Sequence, residues 1–108
     1  MYDAFNARNV DATLAQTNPA LDWPNGWEGG REHGHDAVRE YWLRQWAEID
    51  PHVNPVSITR LDDGRVDVAV HQVVRDLAGN LLSDGHVHHI YRLDDNGLIA
   101  RMDIVDAG

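Results

Sequence analysis

Three side chains in the C-terminal half have the chemistry of an acid–base site: His89, Tyr91 and Asp106. A histidine oriented by a carboxylate is a workable general base near neutral pH, and a tyrosine hydroxyl can donate to a developing oxyanion. The same side chains also suit a ligand contact without chemistry, or a histidine satisfied by a local hydrogen bond in a semi-polar core. A second group is His71, His86 and His88. Three imidazoles on adjacent strands can hold zinc or another divalent ion, but they suit a polar interface or plain surface better, and no metal is expected. Trp23 and Trp27 flank a Pro24-Asn25-Gly26 turn, where bulky aromatics either cap a cavity and bind a flat ligand or serve structure. Trp42 and Trp46 are expected chiefly to pack against a sheet.

The elements that must position these residues change character halfway along the chain. The spacing of Tyr2 and Phe5 predicts a short helix to about Arg8, and a second follows Asn9 with Val10 and Leu14 on one face. Asn18-Pro19 stops it, Leu21 to Trp23 reads as a short strand, and His33 and His35, beside Gly29, Gly30 and Gly34, read as turn and helix-start residues. The strongest helix runs from His35 to about Glu48, because Val38, Trp42, Trp46 and Ile49 form one stripe. Asp50-Pro51 ends it. Long β runs follow: Val53 to Leu61, Arg65 to Asp76, Leu81 to Leu93 and Leu98 to Val105, separated by Asp62-Asp63-Gly64, Leu77-Ala78-Gly79-Asn80 and Asp94-Asp95-Asn96-Gly97. Helices first and a meander second predict an α+β domain spanning residues 1–108.

Strand alternation assigns the faces. Val66, Val68, Val70, Gln72 and Val74 share the side that belongs against the helices. If Asp76 pairs with Leu81, Val68 faces His89 and Val66 faces Tyr91. The inner face then holds Ser83, Gly85, Val87, His89, Tyr91 and Leu93, with Ala100, Met102, Ile104 and Asp106 from the last strand. Ile104 faces His89, which leaves Asp106 one diagonal step away. His71, His86 and His88 fall on the outer face with Asp84, Ile90, Arg92, Arg101 and Asp103. Unpaired buried polar groups cost about 1–3 kcal/mol each, so His89, Tyr91, Gln72 and Asp106 must pair with one another or line a wet cavity.

Composition narrows the function classes. The 108 residues are 43% hydrophobic and 25% charged, too apolar for a disordered chain and too few for a second core. A net charge of −9 argues against nucleic-acid or anionic-membrane partners, which need a basic face. The absence of cysteine excludes disulfides, thiolate metal sites and a cysteine nucleophile. No apolar run approaches a membrane span and the N-terminus carries no apolar signal core, so a cytoplasmic protein is expected.

The segments YDAFNARNVDATL, WPNG, HGHDAVREYW and HIYRLDDNGLIARMDIVD together resemble the nuclear transport factor 2-like superfamily. Within it the chain looks most like SnoaL-like and ketosteroid-isomerase-like proteins, over nearly its whole length. The resemblance implies a cone: a curved antiparallel sheet wrapped around N-terminal helices, a hydrophobic pocket at the open end, and a homodimer formed through the outer sheet face. It does not carry over a known catalytic set. Steroid isomerases of this fold place a catalytic aspartate directly before the proline of the first strand, where this chain has Trp23 with Asp22 pointing the other way. Their oxyanion tyrosine is absent here or shifted to Tyr2, and their second acid aligns with His89. The His-x-Asp pair common in SnoaL-like cyclases is replaced by Met102 and Ile104.

The expected function is therefore general acid–base chemistry on a small apolar cyclic molecule, of isomerase, cyclase, dehydratase or epoxide-hydrolase type and without a cofactor. His89, Asp106 and Tyr91 are the expected catalytic residues. Trp23, Trp27, Trp42, Gln72, Val87, Met102 and Ile104 are expected to bind the substrate. The other reading is a ligand-binding or dimerisation domain without chemistry.

Overall fold

The computed structural model describes residues 1–106. The helix read from the Val38–Trp42 stripe spans His35–Glu48 (α3). It starts after Gly34, whose φ of +85° is a conformation other residues rarely adopt. Val38 and Trp42 are completely buried. Two five-residue helices precede it, Tyr2–Asn6 (α1) and Val10–Leu14 (α2). Helices this short do not persist alone; a local cap and the burial of Val10, Thr13 and Leu14 hold α2, and tertiary bonds hold α1. The Asn9 side chain caps α2 by accepting from the Ala12 amide at 3.1 Å. The Asn6 side chain both accepts from the Val53 amide (3.0 Å) and donates to the Val53 carbonyl (2.8 Å).

Six strands form one sheet in the order β2-β1-β6-β5-β4-β3. They are Thr17–Pro24 (β1), Arg31–His33 (β2), Ile49–Arg60 (β3), Val66–Asp76 (β4), Leu81–Leu93 (β5) and Ile99–Asp106 (β6). The meander β3–β6 is antiparallel as expected, but β1 joins β6 in parallel, so the sheet is mixed. β1 is longer than the Leu21–Trp23 run, and Pro19 sits where the β1–β6 register shifts, a place that tolerates a residue without an amide hydrogen. The segment expected as turn contains β2, a three-residue edge strand too short to show periodicity.

The register that fixes the faces is Val66↔Tyr91, Val68↔His89, His71↔His86 and His89↔Ile104, as alternation predicts. The expected Asp76↔Leu81 pair is replaced by Arg75↔Leu81, and a shift next to Val74 absorbs the difference. That irregularity lies at the hairpin end, so it leaves the inner and outer assignments intact. Leu21, Val38, Trp42, Val70 and Met102 are the centre of the core between α3 and the concave sheet face. Among the described residues no helix is long and apolar enough to cross a membrane.

Candidate functional site

Between α3 and the concave face lies a cavity of about 550 Å³, within the size range of small-molecule sites. Its aromatic side comes from Trp42 on α3, Trp23 on β1 and Trp27 in the loop that follows. The Trp23 and Trp42 rings meet edge to face at 5.3 Å and 90°, a favourable arrangement that fixes both. Trp27 is 39% exposed and stands at the rim. Met102 and Ile104 from β6 and Gln72 from β4 complete the wall expected from the sequence. Val87 does not reach this cavity; it packs partly buried against the core.

His89 also lines the cavity and is only 5% exposed. Its Nδ1 lies 3.0 Å from the Tyr2 hydroxyl, which is in turn 2.6 Å from the Tyr91 hydroxyl. The Tyr2 ring stacks on the imidazole at 5.8 Å and 18°. Nε2 has no hydrogen-bond partner among the described residues. Burial pushes the His89 pKa down to about 4, so the ring is uncharged at neutral pH. Burial likewise pushes Tyr2 up to about 12 and Tyr91 well above its ordinary value, so both hydroxyls keep their protons. Tyr91 opens not onto the large cavity but onto a small one of about 30 Å³ behind His89, which Met1, Tyr2 and Phe5 also line.

The expected carboxylate partner of His89 is elsewhere. Asp106 pairs with Val87 at the end of β6, as the diagonal placement requires, but its side chain is exposed and makes no hydrogen bond to His89 among the described residues. The hydrogen bond to the ring comes instead from Tyr2, from the other end of the chain. A hydroxyl reaches the buried ring without bringing a charge into the core, whereas an ionised carboxylate would have to be desolvated to do so.

The rim nearest β6 carries an ion-pair cluster that alternation alone did not bring together. Arg31 Nε donates to Asp22 Oδ1 at 2.5 Å, and Arg31 also bonds Asp103 (3.1 Å) and the Met102 carbonyl. Arg101 bonds the other Asp22 oxygen (2.8 Å) and Asp103 (2.9 Å). Burial works to raise the Asp22 pKa, but the hydrogen bond and charge of Arg31, with Arg101 and His33, hold the carboxyl below its usual range. Arg31 and Asp103 line the cavity, yet each is already paired. Across the mouth, the Asn25 side chain accepts from the amides of Trp27 (3.2 Å) and Glu28 (2.6 Å), and Arg44 of α3 holds Glu28 at 2.8 Å. Trp27 is thereby fixed at the opening.

On the outer face, His71 and His86 stack at 4.8 Å, His71 bonds Asp84 (2.6 Å) and His88 bonds Asp67 (2.7 Å). Among the described residues no three histidine or carboxylate side chains are grouped to hold a metal ion.

The SnoaL-like domain family model matches residues 1–102. Solved structures share the fold. TerC co-crystallized with polyporic acid is 23% identical, with a TM-score of 0.82 over 97% of this chain and 84% of that one. A putative polyketide cyclase from Sinorhizobium meliloti is 22% identical, with a TM-score of 0.78 over 95% and 87%. RV0760c from Mycobacterium tuberculosis, in complex with estradiol-17beta-hemisuccinate, is 16% identical, with a TM-score of 0.79 over 94% and 83%. No curated protein matches the sequence significantly.

Proposed function

This chain belongs to the SnoaL-like domain family, and we propose that it is an enzyme that holds a small, largely apolar ring compound in its cavity and moves a proton on it with His89. One observation carries this reading: a buried, uncharged imidazole, gripped at Nδ1 by a tyrosine hydroxyl, in the wall of an aromatic cavity. In the tautomer that serves a base, Nδ1–H donates to the Tyr2 oxygen and Tyr2 donates to Tyr91. Nε2 is then free to accept a proton from the substrate. The imidazolium that forms keeps its bond to Tyr2. The two tyrosines stay protonated throughout and hold the ring rather than exchange charge with it. Such a proton transfer fits isomerase, cyclase, dehydratase or epoxide-hydrolase chemistry. The neighbours crystallised with polyporic acid and with a steroid ester support a ring ligand of this size.

The depressed basicity of His89 and the lack of a carboxylate at its ring among the described residues favour a second reading, a ligand carrier without chemistry. Two probes separate them. Estradiol, followed by quenching of tryptophan fluorescence, tests the cavity. Ring opening of 5-nitrobenzisoxazole, which needs only the removal of one proton, tests the base. His89→Ala is expected to slow the ring opening at least a hundredfold; an unchanged rate removes this mechanism. Binding of estradiol with no ring opening above buffer supports the carrier.

The polar outer face of β4–β6, with His71, His86 and His88, is the surface on which two copies of the chain are expected to meet. Sedimentation equilibrium showing a monomer at micromolar concentration would remove that assignment.

A further inference from the structure

The protons of Tyr2, Tyr91 and His89 cannot be placed independently of one another. The Tyr2 hydroxyl lies 2.6 Å from that of Tyr91 and 3.0 Å from His89 Nδ1, its only hydrogen-bond partners among the described residues. Tyr91 has the Tyr2 hydroxyl and, at 3.5 Å, the same Nδ1. Burial keeps a proton on each hydroxyl and leaves the imidazole uncharged with a single one. With the ring proton on Nε2, Tyr91 donates to Tyr2 and Tyr2 donates to Nδ1, so both hydroxyl protons are paired. With the ring proton on Nδ1, one hydroxyl proton is always left over. Whichever tyrosine donates to the other, the second finds no acceptor, because Nδ1 now holds a proton of its own. Tyr91 is 4% exposed, and a buried donor without a partner is costly. The void of about 30 Å³ beside Tyr91 has room for a water, but Met1, Phe5, Trp23 and Val53 make the rest of its wall. A buried water makes about three hydrogen bonds, and this wall is too apolar to supply them.

We propose that the tyrosine pair holds the His89 proton on Nε2, and that the cavity takes ring compounds which present an acceptor oxygen, a carbonyl or an ether, to that N–H. This rests on the reading of the cavity as a ring-binding site and names the group the ring must carry. Nδ1 is turned to the tyrosines, neither of which lines the large cavity. Nε2 has no partner but is not sealed, since among the described residues the one fully buried side-chain nitrogen or oxygen left unpaired is Trp46 Nε1. The open edge of the ring therefore faces the large cavity that His89 lines. An uncharged N–H there suits an uncharged acceptor, because no charge has to be desolvated to form the bond. Removal of a proton by His89 starts from the other, less populated tautomer. A ring with an oxygen at Nε2 and a ring with an acidic C–H there thus draw on different states of one side chain.

Nitrogen-15 chemical shifts of the His89 ring, assigned by through-bond correlation in the wild type, separate the two tautomers without any substitution. At pH 7 the Nε2–H form should outweigh the other at least about fivefold, the low end of what an unpaired buried hydroxyl costs. Three bicyclic probes of one shape then read the contact by calorimetry: 1-indanone carries an acceptor, indole a donor and indane neither. The wild type should bind indanone about fivefold more tightly than indane, the effect of one neutral hydrogen bond, and indole no better than indane. His89→Phe should bind all three alike. A predominant Nδ1–H form overturns the proposal, whether a water in the small void or another acceptor relieves Tyr91. So does indole binding more tightly than indanone, or a preference for indanone that survives in His89→Phe. A wild type that binds the three probes equally sinks this contact alone, whereas one that binds neither these nor estradiol sinks the ring-binding reading with it.

Discussion

The Tyr2 hydroxyl lies 3.0 Å from Nδ1 of His89, joining residues 87 positions apart. The contact couples the docking of the first helix to the state of the only buried imidazole among the described residues. Because Tyr2 also touches Tyr91, losing its hydroxyl removes two bonds at once and leaves Tyr91 and His89 only their longer contact of 3.5 Å with each other.

Tyr2→Phe keeps the ring that stacks on His89 and deletes the bond. Stability should fall by about 1–3 kcal/mol, the cost of leaving buried polar groups unpaired, read as a lower denaturant midpoint with an unchanged slope. The benzisoxazole rate should fall about tenfold while estradiol affinity holds. A rate equal to wild type would mean that Tyr2 does not position the imidazole.

His89 gives stability a signature in pH. Its folded pKa is about 4 against an ordinary 6.5, so between those values the unfolded chain holds a proton that the folded chain does not. Stability is therefore full above about pH 6.5 and falls as pH drops toward 4, by up to roughly 3 kcal/mol. The depressed carboxyls of Asp22 and Asp50 lose their contribution only at lower pH. His89→Gln should flatten the decline between pH 6.5 and 4.5 in urea melts; a decline as steep as wild type would assign it to other groups.

Asn6 satisfies both backbone groups of Val53 on the open edge of β3. Asn6→Ala should cost about 1–3 kcal/mol. Hydrogen exchange should accelerate at the Val53 amide and along α1, because the same bonds anchor the helix that carries Tyr2. Exchange confined to other segments would contradict this anchoring.

Asp22 holds both Arg31 and Arg101 at the rim. The wild type should bind estradiol more tightly than its hemisuccinate, whose carboxylate finds the cluster already neutralised. Asp22→Ala frees positive charge there and should narrow or reverse that preference, more so at low salt. A preference unmoved by the substitution would place the ligand away from Arg31.

Helix α3 and the meander were legible because each carries a strong local signal: a stripe at Val38 and Trp42, and alternation interrupted by Asp-Gly and Asn-Gly turns. Alternation also set Val68 against His89 and Ile104 on the other side. It failed at β2, which is too short to alternate, and at the parallel β1–β6 pair, which no local pattern encodes.

The sequence by itself determined which side chains face inward, since the two-residue period of a strand is a property of the backbone. The tertiary structure decided who meets whom across the site. Asp106, one diagonal step from His89 on paper, stays in water, and Tyr2 from the far end of the chain takes its place. The reason is energetic: a hydroxyl enters a dry core at little cost, and a carboxylate does not.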